Sequence, residues 1–600
     1  MTEPAAVRHS ALEYRPAIDG LRALAVLSVF IFHLKRNWLP GGFVGVDVFF
    51  VISGFLITSI IYKECQTGSL SLARFYQRRI ARIFPAFFTV AFGTLAVASF
   101  IYSPQDLASA GANLVAAALS VANMKLMMQG NYFALSPDAQ PFLHYWSLSV
   151  EEQFYIFFPL FLFLLFKYAR RFLVPTLAVL CAGSFVFCLV MMRLKPAWAF
   201  YLLPTRAWEL LAGCLLAVTS RSVTASWQKL ISVLSLGLVA LSFVLVREGQ
   251  YFPGYWALLP VIGAVGLLGF GQGGPAEKWL AAAPLVAIGR ISYSLYLWHW
   301  PVFSLIDYRM YLSSDLTRMV LKVVLSFAGA LVSYWLIENP ARQFLNQRKN
   351  ILIAYAFMVG VVVVCIPIGS RVRSANFVNA QAVDVRDGGL IFDSKTSKYT
   401  VMLMGDSNGS MYGKVTRSIC KELGCKLSVI SVVAGDPLPA ADGATKQLWL
   451  DSLEAVRKEK PDCLVLACRW DAKLAGGKER LATAVEALRP LVGRLVILNQ
   501  PPLLPERATR GAIRSGARPP FYEDAELRRH RTEANDYLLS FNSGNCTVID
   551  IASHFQKDDG EVLFLDERGR QLYHDAAHLS GYGADLIRAD LMRAISPNRP

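Results

Sequence analysis

The sequence predicts a multi-span α-helical membrane bundle followed by a soluble α/β/α three-layer domain with a parallel sheet. Two observations predict this division. Of the 600 residues, 54% are hydrophobic and only 17% are charged, whereas soluble proteins carry about 25% charged residues. The apolar residues concentrate before residue 370, and β-rich runs alternate with charged stretches after it. This pattern excludes a disordered chain, a coiled coil and a wholly soluble enzyme.

The first half contains eleven apolar segments close to the roughly 20 residues with which a helix crosses a bilayer. They are residues 17–35, 43–63, 84–102, 147–167, 173–193, 204–220, 228–246, 254–271, 283–306, 316–338 and 350–369. We interpret residues 343–398 as the eleventh span with a linker, 371–398, that leads to a soluble domain at 399–600. The long outer loop 103–146 includes residues 107–122, whose pattern suits an interfacial helix.

The distribution of cations predicts the orientation of the bundle. With the N-terminus in the cytoplasm, the inner loops carry roughly 16 Lys and Arg and the outer loops about 10, in agreement with the positive-inside rule. An odd number of spans then places the soluble domain outside, and one miscounted span would reverse this side. The formal net charge of +16 belongs with membrane-facing loops, so nucleic acid is not an expected partner.

Two ionisable residues fall inside the first span, where the cost of charge in lipid makes them functional candidates by default. Arg22 and His33 are eleven positions apart, which on a helix is three turns plus about 20° and a rise of about 16 Å. Both side chains therefore face the same way. This arrangement suits a cation that holds an anionic carrier and a base at the reacting end. The structural alternative is a snorkelling Arg22 and a hydrogen-bonded His33.

Further ionisable residues recur within the spans, and together they indicate a polar cavity in the bundle. They are Asp47, His144, Glu151, Glu152, Arg206, Glu209, Arg290, His299 and Glu338. Arg206 and Glu209, three positions apart, share one helix face, and the small residues around Asp47 favour close helix packing. For each residue alone a structural ion pair explains it as well as catalysis does. We take Asp47, His144 and Glu151 as supporting residues of a site.

Several long motifs occur in an order that is typical of one family. GGFVGVDVFFVISGFLIT, FYQRRIARIFP, LHYWSLSVEEQFY and ISYSLYLWHWP, with the spacing of Arg22 and His33, resemble the bacterial membrane-bound acyltransferase-3 family over residues 14–342. The resemblance implies a ten-span domain that takes acetyl groups from cytosolic acetyl-CoA and acylates extracytoplasmic glycans. It implies that His33 and Arg22 are required for activity and that Arg78 and Arg82 form the cytosolic basic motif. Arg binds phosphate oxygens through paired hydrogen bonds, which suits the phosphates of coenzyme A.

The second half alternates strands and helices, which predicts a parallel sheet covered by helices on both faces. The predicted strands are residues 400–404, 427–433, 463–468, 494–499 and 546–551, and the predicted helices are 408–422, 446–459, 480–490, 523–541 and 581–594. Ser407, in MLMGDSNGS, follows the first strand at the edge of the sheet where ligands bind. It opens a helix whose N-terminus favours an oxyanion, although serine there is also an ordinary helix cap.

A second motif near the C-terminus, YHDAAHLSGYG, supplies Asp575 and His578, three positions apart. A carboxylate that orients an imidazole can activate a serine. The pairing of GDS with D-x-x-H resembles the SGNH hydrolase superfamily. The resemblance implies Ser407 as nucleophile, His578 as base and Asp575 as its orienting partner. It also makes Gly435, in VVAGDP, a candidate oxyanion donor.

One position departs from that superfamily, whose third block usually supplies an Asn. This chain has LACRWDA there, and Arg469 could replace the missing donor electrostatically or bind a glycan. Cys420 and Cys425 could form a disulfide in a periplasmic domain, with separate buried thiols as an equal alternative. No metal site is expected.

Taken with the resemblance, these patterns predict an O-acyltransferase of the bacterial inner membrane with a periplasmic C-terminal domain. It would pass acetyl groups from cytosolic acetyl-CoA through the bundle to the serine site and on to a cell-surface polysaccharide. Lipopolysaccharide O-antigen is the favoured acceptor, and peptidoglycan or another glycan is the alternative. A membrane glycan transporter and a membrane-anchored esterase are alternatives of another class. The SGNH-like domain disfavours the transporter, and the intramembrane pair of Arg22 and His33 disfavours the anchored esterase.

Overall fold

A computed structural model describes most of the chain. The described residues are 14–128, 137–219, 224–249, 251–271, 273–392, 398–440, 446–505, 508, 510–514 and 517–597. Contacts divide the chain into two compact units. The first comprises the described residues up to Phe100 with Ala110–Ser370, and the second comprises Ile101–Ser109 with the described residues from Arg371 onwards.

Helices make up most of the described chain before residue 377, and most of their residues belong to the first unit. They are α1 (Pro16–Leu34), α2 (Gly45–Gln66), α3 (Leu72–Ile101), α4 (Pro104–Ala118), α5 (Ala122–Met128), α6 (Tyr145–Ala169), α7 (Leu173–Leu194), α8 (Pro196–Tyr201), α9 (Leu203–Thr219), α10 (Ala225–Leu245), α11 (Leu258–Gly269), α12 (Pro275–Leu280), α13 (Ala283–Arg290), α14 (Ser292–Arg309), α15 (Asp315–Ser333), α16 (Asn339–Leu345) and α17 (Ile351–Asn376). Each of the eleven predicted spans overlaps one of these helices, and residues 107–122 fall mainly on α4.

The apolar helices confirm a membrane bundle. Among the described residues, eight helical stretches are long and apolar enough to cross a membrane, and one of them, Tyr145–Leu194, contains both α6 and α7. The predicted spans 254–271 and 283–306 fall on the shorter helices α11, α13 and α14. The odd number of spans, and the topology derived from it, therefore stays a prediction.

Helices α2 and α9 lie unusually close together because glycines face the partner helix's backbone. A Cβ atom on Gly54 would lie 1.9 Å from the carbonyl oxygen of Leu210. A Cβ atom on Gly213 would lie 2.1 Å from the carbonyl oxygen of Val51. Small residues at a helix interface permit this approach. It places polar side chains of the two helices within ion-pair distance of each other.

The second unit contains a six-stranded sheet of order β1-β3-β2-β4-β5-β6. Its strands are β1 (Leu390–Phe392), β2 (Thr400–Gly405), β3 (Lys426–Ser431), β4 (Cys463–Ala467), β5 (Arg494–Leu498) and β6 (Cys546–Ile549). Its helices are α18 (Ala382–Arg386), α19 (Ser407–Met411), α20 (Gly413–Leu423), α21 (Gln447–Glu459), α22 (Trp470–Leu474), α23 (Glu479–Leu488), α24 (Arg510–Arg514), α25 (Ala525–Leu539), α26 (Gly581–Leu586) and α27 (Arg588–Ile595). Strands β2 to β6 are parallel, and each overlaps one of the five predicted strands, with ends that differ by at most two residues.

Strand β1 departs from the predicted parallel sheet. It runs antiparallel to β3, with Leu390 opposite Val429, and it lies within residues 371–398, the predicted linker. An antiparallel edge strand needs no crossover helix, so three residues can join the sheet without a sequence pattern that reveals them. The sheet is therefore mixed, and part of the predicted linker belongs to the second unit.

From the sequence, Cys420 and Cys425 are expected either to form a disulfide or to be separate buried thiols. All ten cysteines of the chain are free thiols, and these two are buried. Their main chains are hydrogen-bonded: the N–H of Cys425 donates to the carbonyl oxygen of Cys420 at 2.8 Å. They are separate buried thiols that pack as small apolar side chains.

The turn after β2 packs tightly against β4, its hydrogen-bonded neighbour. A Cβ atom on Gly405 would lie 2.0 Å from the carbonyl oxygen of Ala467, and one on Gly409 would lie 2.7 Å from the same oxygen. The glycines of the GDSNG motif therefore allow α19 to begin beside the end of β4. Ser407 is the first residue of that helix.

We predict that Gly405→Ala destabilises the second unit, because the added methyl group overlaps a backbone oxygen that cannot turn away. Overpacking of this kind costs about 1–3 kcal/mol. The urea midpoint for protease resistance of this unit in the full-length protein measures the effect. Gly476→Ala is the matched control, since its nearest contact is Nη1 of the flexible Arg480 side chain at 3.2 Å. Equal midpoints for Gly405→Ala and the control would contradict the close packing.

Candidate active sites

The second unit brings together the serine, histidine and aspartate that the sequence motifs single out. The Oγ of Ser407 lies 2.9 Å from Nε2 of His578. The Nδ1 of His578 lies 2.9 Å from both carboxylate oxygens of Asp575. An N–H at Nδ1 donates to the carboxylate, which leaves the lone pair of Nε2 free to accept the serine proton. The arrangement can generate a nucleophilic serine.

Local backbone hydrogen bonds hold the two ends of this triad. Asp575 Oδ1 accepts from the N–H groups of Ala577 at 2.8 Å and His578 at 2.9 Å. Asp406 caps α19 through Oδ1, which accepts from the N–H of Asn408 at 2.9 Å, and its Oδ2 accepts from the N–H of Arg469 at 3.1 Å. Asp406 therefore ties the start of the serine helix to the loop that follows β4.

The electrostatics of the triad favour a basic imidazole. Burial opposes a charge on His578, but the hydrogen bond and charge of Asp575 outweigh it and raise the pKa of His578. Burial also opposes the charge of Asp575, yet the hydrogen bond and charge of His578 outweigh it and lower the pKa of Asp575 to about 2. Asp575 thus stays ionised at neutral pH, and His578 is a stronger base than a free imidazole.

The two candidate oxyanion donors already have partners. The N–H of Gly435 donates to the carbonyl oxygen of Val432 at 3.0 Å. Arg469 pairs with Asp471 through Nε at 3.1 Å and Nη2 at 3.3 Å. The N–H of Gly435 would have to exchange its partner before it could bind an oxyanion, whereas the guanidinium of Arg469 has five N–H donors and uses two of them on Asp471.

Asn408 is a residue of this region that the sequence analysis does not single out. It is 2% exposed, and both its Oδ1 and Nδ2 atoms lack a hydrogen-bond partner among the described residues. An unsatisfied buried amide is costly, so this side chain is a further candidate donor. Its place directly after the nucleophile in GDSN is the signal that could have identified it.

Three of the cavities among the described residues of the first unit are neighbours. The arginine cavity is lined by Arg290, Arg342 and Asp19, among others. The central cavity shares Arg22, Leu56 and Arg82 with it. The histidine cavity shares Val46 and Tyr296 with the central cavity. Shared walls place the three cavities in a row, from the arginine side chains to His33.

Arginine side chains line one end of this row. Arg22, which is 3.6 Å from Asp19, and Arg82 line both the arginine and the central cavity. Arg79, which the sequence analysis does not select, also lines the central cavity. Arg78 is not among the described residues that line either cavity, and it pairs with Glu64 at 2.7 Å.

The spacing of the basic motif does not discriminate between Arg78 and Arg79. They are four and three positions before Arg82, and both spacings keep side chains on one helix face. Glu151 and Glu152 also line the central cavity. The cavity therefore combines cations with carboxylates, as the polar residues within the spans predict.

The other end of the row holds two histidines in contact. His33 lines the histidine cavity together with His144 and Asp47. Its Nδ1 lies 3.3 Å from Nε2 of His299, and its ring packs against Trp300 with centroids 4.6 Å apart. The sequence identifies both histidines, but their contact depends on the packing of α1 against α14.

Beside the histidines lies a buried ion cluster. Arg206 donates to Asp47 Oδ1 at 3.0 Å and pairs with Glu209 through Nε at 2.8 Å. The three side chains are at most 1% exposed. Buried charges persist only where they are paired, so Asp47 supports the cavity wall through this cluster.

Comparison with known proteins decides the family. The family model described as "Acyltransferase domain" matches residues 15–370. The chain belongs to the acyltransferase-3 family. A second model, "SGNH domain (fused to AT3 domains)", matches residues 379–593. The chain is therefore a membrane protein in which an acyltransferase-3 domain is fused to an SGNH domain.

Two curated relatives show the extent of the similarity. The O-acetyltransferase OatA of Staphylococcus aureus (strain MRSA252) is 31% identical over 384 residues, which are 59% of this chain and 62% of the relative. The peptidoglycan O-acetyltransferase OatA of Listeria monocytogenes is 32% identical over 364 residues, 56% of this chain and 58% of the relative. This acyltransferase-3 chain thus spans less than two thirds of the length of these relatives.

A solved structure is similar to part of the chain. It is the periplasmic domain of the lipopolysaccharide acetyltransferase of Salmonella ser. Paratyphi A, with 13% identity and a TM-score of 0.26. The similarity covers 34% of this chain and 83% of that one.

The triad predicts a pH dependence for chemistry at Ser407. His578 must be unprotonated to accept a proton, so activity rises with pH through its raised pKa, above the ordinary value of about 6.5. Asp575→Asn removes the charge that raises this pKa, so the rise moves to lower pH, and kcat falls by up to about 10⁴-fold, as in a serine protease. Hydrolysis of 4-nitrophenyl acetate by the full chain measures both effects. The exposed substitution Asp558→Asn is the control, and an unshifted profile for Asp575→Asn would refute the pairing.

Proposed function

We propose that this protein transfers acetyl groups from cytosolic acetyl-CoA to hydroxyl groups of a bacterial cell-surface polysaccharide. The observation that carries the proposal is the row of neighbouring cavities between a group of arginines and the half-buried His33. An assembled Ser407–His578–Asp575 triad in the same chain supports it. In this proposal the N-terminus is cytoplasmic, and the C-terminal domain is periplasmic, in the inner membrane.

The arginine side chains fit the donor's charged end. Coenzyme A carries several phosphate charges, and guanidinium groups bind phosphate oxygens through two parallel hydrogen bonds. Arg22 and Arg82 line both the arginine and the central cavity, and Arg79 adds a third cation. The thioester end of the donor would then extend through the central cavity towards the histidine cavity.

His33 is the proposed reactive group of the membrane step. Its neutral imidazole acts as a general base, or a ring nitrogen attacks the thioester carbonyl carbon and holds the acetyl group transiently as the carbon–sulfur bond breaks and the thiolate leaves. Both roles require a ring nitrogen with a free lone pair. The buried Nε2 of His33 has no hydrogen-bond partner among the described residues.

The serine site completes the transfer in this proposal. Ser407 Oγ attacks the acetyl carbonyl carbon as His578 Nε2 takes the hydroxyl proton, and His578 gives this proton to the acyl carrier as it leaves, which produces an acetyl-serine. A sugar hydroxyl then attacks the same carbon and gives its proton to His578 Nε2, which passes it to Ser407 Oγ as the serine ester bond breaks. Asp575 stays ionised throughout and stabilises the imidazolium.

The acceptor class has two candidates. O-antigen of lipopolysaccharide is the acceptor that the motifs favour by resemblance. Peptidoglycan is the second candidate, because the Listeria monocytogenes relative bears that substrate in its name. A transporter would have no use for the triad, and an anchored esterase would have no use for the cavities that lead to His33.

We predict that the arginines of the cavities set the affinity for the donor. Charge-assisted hydrogen bonds contribute about 1.5–3 kcal/mol each, so Arg79→Ala and Arg82→Ala should each raise KM for acetyl-CoA by about 10- to 100-fold. Arg78→Ala is the matched control, because its guanidinium pairs with Glu64. Acetyl transfer by membranes at varied acetyl-CoA concentration measures KM. A larger effect at Arg78 than at Arg79 would reverse this assignment.

We also predict that the two halves act in sequence. With radiolabelled acetyl-CoA, His33→Ala should abolish label both on Ser407 and on glycan, which shows that the membrane step comes first. Ser407→Ala, which removes the hydroxyl that accepts the acetyl group, should also abolish label on glycan. His530→Ala and Ser418→Ala, both exposed, are the controls. Base-labile acetate on purified O-antigen and on peptidoglycan, with NMR of the product, identifies the acceptor. Normal glycan labelling by Ser407→Ala would show that Ser407 is not the nucleophile and would leave the SGNH domain only a role in substrate binding.

A further inference from the structure

His299 has no role in the function proposed above, yet it is the residue that contacts His33 through a ring nitrogen. It is 1% exposed. The two imidazole rings lie 19° from parallel with their centroids 5.4 Å apart. This geometry agrees with a nitrogen of one ring facing a nitrogen of the other, at the observed 3.3 Å.

The proton positions in this pair follow from a third group. His299 Nδ1 lies 2.6 Å from the backbone carbonyl oxygen of Tyr296. A carbonyl oxygen only accepts hydrogen bonds, so Nδ1 of His299 carries a proton. A charged imidazolium at this depth would be costly, so the ring is neutral and its Nε2 is an acceptor.

The proton between the two rings must then come from His33. Nε2 of His299 has a lone pair, so the contact is a hydrogen bond only if Nδ1 of His33 is protonated. A neutral His33 in that tautomer has its lone pair on Nε2. That atom is buried and lacks a partner among the described residues.

We propose that His299 is a positioning residue that fixes His33 in the Nδ1-protonated tautomer, so that Nε2 of His33 is its reactive atom. We call the two successive hydrogen bonds a relay: His33 Nδ1–H donates to His299 Nε2, and His299 Nδ1–H donates to the Tyr296 carbonyl oxygen. The inference rests on the proposed function for the reactive role of His33. It holds equally if Nε2 accepts a proton or an acetyl group, because either event needs the lone pair there.

If His299 served only for packing, its substitution would have a different effect. A structural histidine could be replaced by an aromatic ring of similar shape without a change in the chemistry of its neighbour. A relay histidine requires an acceptor atom at the position of Nε2. His299→Phe keeps the ring and removes the acceptor, whereas His299→Gln can place Oε1 near the position of Nε2.

The tautomer can be observed by ¹⁵N NMR on the full-length protein labelled at histidine, which contains eight histidines. His33→Gln identifies the His33 signals, and His530→Gln, at an exposed position, is the labelling control. We expect a protonated Nδ1 and an unprotonated Nε2 at His33 in the wild type and in His299→Gln. In His299→Phe we expect the proton to move partly or wholly to Nε2.

Kinetics give the second readout. General acid–base groups contribute about 10²- to 10⁴-fold, so we expect kcat for acetyl transfer to fall at least about tenfold in His299→Phe. His299→Gln should recover most of kcat, and KM for acetyl-CoA should be unchanged in both variants.

A wild-type His33 protonated at Nε2 would overturn the relay, and so would equal kcat for the Phe and Gln variants. If His299→Phe does not fold, the wild-type spectrum and His299→Gln still decide the tautomer. A wild type with the expected tautomer but without acetyl transfer would refute the proposed function and leave the relay standing.

Discussion

The pairing of Arg206 with two carboxylates is the interaction on which the membrane half depends. An unpaired charge at this depth would cost several kcal/mol, so Asp47 of α2 and Glu209 of α9 must both reach the guanidinium. Glu209 is three positions from Arg206 on α9 itself, and Asp47 reaches the guanidinium because α2 and α9 approach each other through Gly54 and Gly213. The cluster therefore fixes the distance between these helices, and with it one wall of the histidine cavity.

Both candidate sites require a histidine nitrogen with a free lone pair, and each provides it with a different hydrogen-bond partner. At His578 the partner is the ionised Asp575, and its charge raises the pKa of the imidazole. At His33 the partner is a neutral relay through His299 to the Tyr296 carbonyl oxygen. A carboxylate is tolerable in the partly exposed serine site, whereas a neutral acceptor avoids a further buried charge in the bundle.

How far the sequence predicts these sites depends on how local their contacts are. Asp575 and His578 are three positions apart, and Ser407 follows a strand, so motif and topology suffice to bring the triad together. The contact of His33 with His299 joins residues 266 positions apart, and no periodicity reports it. The sequence also does not predict that Arg79 lines the central cavity or that β1 joins the sheet. The packing of α3 decides which of its arginines faces the cavity, and packing likewise decides whether a short edge strand pairs.

The aromatic rings that surround Arg206 also bear on the size of the acyl group. Its guanidinium carbon lies 5.5–5.7 Å from the ring centroids of Trp146, Phe200 and Phe252, and these rings line the histidine cavity with His33. A long acyl chain would have to displace rings that the buried guanidinium holds by cation–π attraction, which is strengthened by desolvation. Enlarging the cavity would therefore weaken the cluster that links α2 and α9. We favour acetyl over longer acyl groups for this reason, since a two-carbon group needs no such displacement.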